Sequence, residues 1–310
     1  MSGPTRVAAY DCGTNSLRLL VADLDPDTGS ATEIYRGMQI VRLGENVDRT
    51  GSLSPVALQR TLAAVDEFSQ IAHERGAERT VFAATSAARD ADNAPMFMTE
   101  VTTRVGVEPV VLTGDEEARL SFAGAVRTLR GATPGPYLVV DIGGGSTECI
   151  LGTDVVTHAQ SLDIGSVRIS ERHLESDPPT TEQIAAAVED IDATLDTLGL
   201  DLTDAATVVG VAGTVTTIAA GALRLDSYQR DVIHHSVIDV ASVQAVVGRL
   251  LAMSISERLA LGYLHPGRAD VIGGGGLILE RLLRRTSVNA LLVSEHDILD
   301  GLAWSAVGTD

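Results

Sequence analysis

The sequence predicts an α/β protein made of two related domains. At 310 residues the chain exceeds the usual size of a single hydrophobic core. Short apolar strands alternate with amphipathic helices along most of its length. An Asp-x-Gly-x-x-Ser turn between two apolar strands occurs twice, as DCGTNS at 11–16 and DIGGGS at 141–146, 130 positions apart. Two domains of related fold, each opening on a glycine hairpin, are expected to face each other across a cleft.

Residues 5–10 and 17–24 read as strands joined by the first turn, with a third strand around 33–43. The stretch 54–76 reads as a helix: Ser54 can cap it, Pro55 suits its first turn and Gly76 its stop. Leu58, Leu62, Val65, Phe68 and Ile71 recur along it at helical spacing. A strand at 79–85, a helix near 94–105, a strand at 108–113 and a helix from Asp115 to Leu129 continue the alternation. RGATPGP at 130–136, rich in glycine and proline, reads as a domain junction. The pattern then restarts with a strand ending in Asp141, the second turn and a further strand. Later come a helix at 181–199, a strand at 206–211, a glycine-hydroxyl turn entering a helix at 212–223, and a helix at 241–253. ADVIGGGGLILERLL at 269–283 reads as a glycine turn with a helix after it, 288–295 as a strand and 297–307 as a closing helix.

Composition excludes several function classes. With 45% apolar residues the chain can bury sizeable cores. Its N-terminus carries one arginine and a very short apolar stretch, unlike a secretory leader, and no apolar run reaches the length of a membrane span. A cytoplasmic protein with no membrane partner is expected. Cys12 and Cys149 give no disulfide framework and are expected to be small buried thiols. The net charge is −19 and the chain contains no lysine, which removes the Walker-type phosphate loop from consideration. The acidic balance, with only 3% aromatic residues, speaks against a nucleic-acid partner. A phosphorylated substrate would need local arginines and a divalent cation to overcome that field.

The turn at 141–148 could be a dinucleotide fingerprint, a phosphate cradle or a tight hairpin. A dinucleotide fingerprint needs a sixth-position glycine and a following helix, whereas here that position is Glu148 and a strand follows. The backbone amides of Gly143, Gly144 and Gly145 can wrap a phosphate as a nest, with Ser146 and Thr147 adding hydroxyls. Asp141 and Glu148, flanking the nest, are oxygen ligands suited to Mg²⁺ shared with a substrate phosphate. Asp11, Gly13, Thr14, Asn15 and Ser16 offer the same set in the first copy, where a plain hairpin is the bland alternative. Gly213 and Thr214 form a third candidate, since a glycine-threonine turn at a helix N-terminus presents free amides to an anion. His234 and His235 lack neighbours that would complete a metal set and read as a polar surface pair.

YDCGTNSLRLLVAD, ATSAARDADN at 84–93, TGDEEARLSFAG at 113–124, VVDIGGGSTE, SLDIGSVRISER at 161–172 and GVAGTVTTIAA at 210–220 follow one another in order. Together they resemble the exopolyphosphatase / guanosine pentaphosphate phosphatase family of the actin-like ATPase superfamily. TGDEEARLSFAG followed by DIGGGSTE is the specific part. The resemblance implies two ribonuclease-H-like domains with mixed sheets flanked by helices, and hydrolysis of a terminal phosphoanhydride in the cleft between them. It places the domains at 1–130, completed by the C-terminal helix at 297–310, and at 131–296.

It also implies roles. Glu117 matches the family's catalytic base, with its neighbour Glu116 as the fallback. Both could instead be first-turn acids favoured by the helix dipole. Arg89 sits at the phosphate-binding arginine, with Asn93 one turn on, and an ion pair with Asp90 or Asp92 is its alternative. Arg18 and Arg168 read as structural. Asp11, Asp141 and Glu148 would hold Mg²⁺ or Mn²⁺. The expected substrate is inorganic polyphosphate, in short chains because the extra helical region of longer members is absent from this sequence. Guanosine pentaphosphate is the near alternative and an ATP-dependent kinase of the same fold the distant one. A homodimer is expected.

Overall fold

In the computed structural model, residues 3–308 are described. The chain divides into two compact units, Met1–Gly124 with Ile298–Asp310, and Ala125–Asp297. The sheet of the first unit runs β3-β2-β1-β4-β5, with β1 Thr5–Cys12, β2 Ser16–Asp25, β3 Ser30–Ile40, β4 Arg79–Ala84 and β5 Val110–Val111. The first three strands form an antiparallel meander and the last two join β1 in parallel. Alternate residues of β1 serve opposite faces. Ala8, Tyr10 and Cys12 enter a core with the helices Pro55–Glu74 and Ala94–Val105, while Val7 and Ala9 meet Trp304 and its helix Ile298–Ser305.

The second unit repeats this plan. Its sheet runs β10-β11-β9-β6-β7-β8, with β6 Tyr137–Ile142, β7 Thr147–Gly152, β8 Val156–Leu162, β9 Thr207–Val211, β10 Val237–Asp239 and β11 Ala290–Val293. Strands β6, β7 and β8 form the meander, β9 and β11 follow in parallel, and β10 adds an antiparallel edge. A meander continued by parallel strands on its first member, with helices on both faces, is the actin-like fold. Both β6 and β7 are buried along their whole length, as strands covered on both faces must be.

Two local readings are sharpened. Ser54 accepts a hydrogen bond from the Ala57 amide and caps Pro55–Glu74, and Gly76 just beyond the helix adopts φ 71°. The four glycines at 273–276, expected to form a turn, lie instead inside the helix Ile272–Leu283. Tertiary packing overrides their turn preference. A Cβ on Gly274 would stand 2.7 Å from Ser170 Oγ and 2.9 Å from the Ser166 carbonyl oxygen, so the glycines let this helix lie backbone-close to Ser166–His173.

An exposed helical glycine gains roughly 1 kcal/mol on replacement by alanine. At Gly274 the sign reverses, because the added methyl must displace backbone, and overpacking costs about 1–3 kcal/mol. Chemical denaturation of Gly274→Ala is expected to show that loss, and a stabilised variant would contradict the close approach.

Candidate active site

In both units the glycine turn closes the same way. The Gly13 amide donates to the Ser16 carbonyl at 3.0 Å, and the Gly143 amide to the Ser146 carbonyl at 3.0 Å. The strand register places Asp11 opposite Arg18 and Asp141 opposite Glu148. No residue of either turn adopts a left-handed backbone, so the amides are not presented by alternating handedness. They are presented because the carbonyls are held from behind. In the first unit Val41 and Arg42 donate their amides to the Asn15 carbonyl at 3.0 and 2.9 Å, and Gly44 donates to that of Thr14 at 2.9 Å. In the second unit Ser166 donates to the Gly143 carbonyl at 2.9 Å, and Val167 and Arg168 to that of Gly144 at 2.9 and 3.2 Å. Among the described residues, the amides of Thr14, Asn15, Gly144, Gly145 and Ser146 donate to no protein acceptor. Neighbouring free amides in a turn are chemically suited to an anion.

The sequence reading missed these clamps. VRLG at 41–44 and LDIG at 162–165 share an apolar-x-apolar-Gly pattern, each at the end of the third strand of its meander. Both glycines are there for space. A Cβ on Gly44 would run into Thr14, and one on Gly165 would reach the Gly145 nitrogen at 2.6 Å and overlap Gly144. Thr14 and Gly144 are equivalent positions of the 130-residue repeat, so the two clamps are equivalent as well.

The first unit adds an acid and a guanidinium. The register of β1 with β4 brings the helix Ser86–Arg89 beside the first turn, and its two ends do different work. At one end Ser86 Oγ lies 2.8 Å from Thr14 Oγ1. At the other, Arg89 Nη1 donates to Glu117 Oε2 and to the Leu112 carbonyl, both at 3.0 Å. Arg89 therefore pairs with Glu117 rather than with Asp90 or Asp92. Asn93 spends its amide on the Leu53 backbone, at 2.8 and 2.9 Å. Asn15 Oδ1 is buried and accepts no hydrogen bond.

The adjacent acids separate cleanly. Glu116 accepts from the Thr113 amide and hydroxyl, each at 2.8 Å, while its own amide donates to Thr113 Oγ1 at 3.3 Å. This is a capping box on the helix Gly114–Val126. The backbone bond from Thr113, followed by its hydroxyl, holds the Glu116 carboxyl below the usual glutamate range. Glu117 is 8% exposed and faces Arg89.

The second unit gathers acids. Glu148 is 1% exposed and accepts from Ser161 Oγ at 2.7 Å, while Asp141 is buried opposite it. At the equivalent place in the first unit Arg18 donates to Asp11 at 2.6 and 2.8 Å, so Asp11 has its own counter-charge. The pairing of Asp141 with Val211 sets the helix Ala212–Ala222 beside the second turn, with Gly213 at its start and the Arg268 guanidinium against it. Thr214 is buried and, like Ser166, borders Gly275. Thr147 Oγ1 is committed to the Ile164 carbonyl at 2.7 Å, which removes it from the hydroxyls expected at the turn. Both cysteines are fully buried, and burial, then the neighbouring carboxylate, pushes the Cys149 thiol up to about 12 and Cys12 in the same direction. His234 stacks on His235 at 3.7 Å and meets His296 at 4.5 Å.

Residues 21–309 match the model of the Ppx/GppA phosphatase family. The chain belongs to that family. It is 45% identical to exopolyphosphatase 2 of Mycobacterium tuberculosis, over 98% of this chain and 99% of that protein. The crystal structure of an exopolyphosphatase-like protein superposes with a TM-score of 0.94 at 40% identity, covering 98% of both chains. The guanosine-5'-triphosphate,3'-diphosphate pyrophosphatase of Vibrio atlanticus is 29% identical over 98% of this chain, which spans 60% of that longer protein. No helix among the described residues is long and apolar enough to cross a membrane.

Within this family site the two glutamates make opposite predictions. Glu116→Ala is expected to lower the melting temperature while turnover persists. The Glu116 carboxyl is depressed in the folded state, so its contribution is full above the unfolded glutamate value near ~4.3 and fades as pH falls through the folded value. Melting curves of both proteins at pH 7 and pH 3 test this, and a difference that grows on acidification would contradict it.

Proposed function

We propose that the protein is an exopolyphosphatase, hydrolysing the terminal phosphoanhydride of inorganic polyphosphate, in short chains, to orthophosphate. The observation that carries this reading is Glu117, a buried carboxylate held at 3.0 Å by Arg89 in a chain of this family. Water attacks the terminal phosphorus, the bond from that phosphorus to the bridging oxygen breaks, and the bridging oxygen leaves on the shortened chain. Glu117 orients the water and takes its proton. Arg89 spends Nη1 on the Leu112 carbonyl and Glu117, which leaves its other N–H groups to donate to a phosphoryl oxygen. The turn amides supply fixed donors to the remaining phosphate oxygens.

Among the described residues no three His, Cys, Asp or Glu side chains form a ready metal cluster. Asp141 and Glu148 nonetheless fit the requirement of Mg²⁺ or Mn²⁺, which takes one or two carboxylates and completes its shell with substrate phosphate and water. A cation held there would neutralise phosphate oxygens. Asp11 fits less well, since Arg18 already neutralises it. Homodimerisation and a cytoplasmic location belong to the same proposal.

The Vibrio relative favours guanosine pentaphosphate as a second substrate. The scarcity of aromatics, 3% of the chain, leaves little for stacking a guanine and ranks it second. Phosphate release measured with both substrates, over a range of chain lengths, is expected to favour polyphosphate and to stop when the divalent cation is chelated. Glu117→Gln is expected to reduce turnover by roughly two to four orders of magnitude. Unchanged turnover would remove Glu117 from the base's role, and faster release from guanosine pentaphosphate would reverse the substrate ranking.

A further inference from the structure

The equivalent clamps differ in kind at the carbonyl of the turn's fifth residue. In the first unit the Asn15 carbonyl is held by two backbone amides, those of Val41 and Arg42. Its counterpart in the repeat is the Gly145 carbonyl, whose clamping donor is a side chain, Arg168 Nε at 2.9 Å. Glycine is the residue least able to hold its own peptide plane. The Gly145 carbonyl shares that plane with the Ser146 amide, one of the donors left without a protein acceptor.

We propose that Arg168 is a positioning residue for phosphate binding: it locks the Gly145–Ser146 peptide with the amide presented to the phosphate. A carbonyl and the amide of the same peptide point in opposite directions. Holding the oxygen from behind therefore aims the hydrogen forward, and a cationic donor on that oxygen draws electron density from the amide and strengthens it as a donor. Without Arg168 the peptide is free to turn over, which would direct a carbonyl oxygen at an anionic ligand. The Arg168 amide, bound to the Gly144 carbonyl, fixes the start of the same side chain. Ser166 and Val167 hold the two preceding peptides by backbone alone, so side-chain substitution at 168 isolates one plane of the turn.

This inference rests on the phosphate-binding part of the proposed function, and the experiment separates the two. Wild type, Arg168→Ala, Arg168→Lys and Arg168→Gln are compared by steady-state hydrolysis of tripolyphosphate and by calorimetric titration with orthophosphate, with melting temperatures recorded. A charge-assisted hydrogen bond corresponds to roughly ten- to a hundred-fold in an equilibrium constant. Arg168→Ala is expected to raise both KM and the orthophosphate Kd by that factor with a much smaller change in kcat, because the amide binds ground and transition states alike. Lysine, which keeps charge and a donor, should recover part of the loss, and glutamine, which keeps only the donor, less. Where the alanine variant does not fold, Arg168→Gln is expected to show the same rise in KM and Kd to a smaller extent. Unchanged KM and Kd would overturn the proposal, as would a lysine variant no better than alanine with losses confined to kcat and melting temperature. Arg168-dependent orthophosphate binding in a wild type that hydrolyses no phosphoanhydride would sustain the proposal and refute the activity. A wild type that binds no orthophosphate would overturn both.

Discussion

The site depends on how a turn of small residues can keep its amides unpaired. A buried N–H normally finds a partner, and leaving one without costs on the order of 1–3 kcal/mol. Both units solve this by securing the other side of each peptide. The segment after the third strand reaches back and takes the turn's carbonyls, so the chain there cannot turn its amides inward. The requirement reaches into the sequence as Gly44 and Gly165, where a side chain would push the clamp off its turn. It reaches further into Gly274 and Gly275, which let a whole helix approach the segment that carries the second clamp.

On this shared frame the two units have diverged in charge. The position opposite the turn's aspartate is Arg18 in one and Glu148 in the other. The first hairpin is thereby neutralised, and the neighbouring helices bring Arg89 and Glu117 together as an ion pair. The second places two buried carboxylates, Asp141 and Glu148, opposite each other beside the turn amides.

Much of this was legible in the sequence. The strand–turn–strand repeat and the helical spacing of Leu58, Val65 and Phe68 are local patterns, and local patterns determine these elements. Glu116 was legible as well: TGDE at 113–116 carries the Thr-x-x-Glu signature of a capping box, and reading it would have separated the acidic pair at once. The clamps were not legible, because VRLG and LDIG are too short to stand out and their meaning lies in what they touch. GGGG at 273–276 was misread for a related reason. Glycine signals a turn locally, and only tertiary contact reveals a close helix approach. The pairing of Arg89 with Glu117 spans 28 positions and follows from the parallel register of β1, β4 and β5.

The central claim is that the unpaired turn amides are where phosphate binds. An amide-resolved ¹H–¹⁵N NMR titration of the full chain with orthophosphate tests it most directly. The account predicts that the resonances of Thr14 and Asn15 in one turn, and of Gly144, Gly145 and Ser146 in the other, move and saturate on titration. Binding that leaves these five amides unmoved, while resonances elsewhere shift, would contradict it.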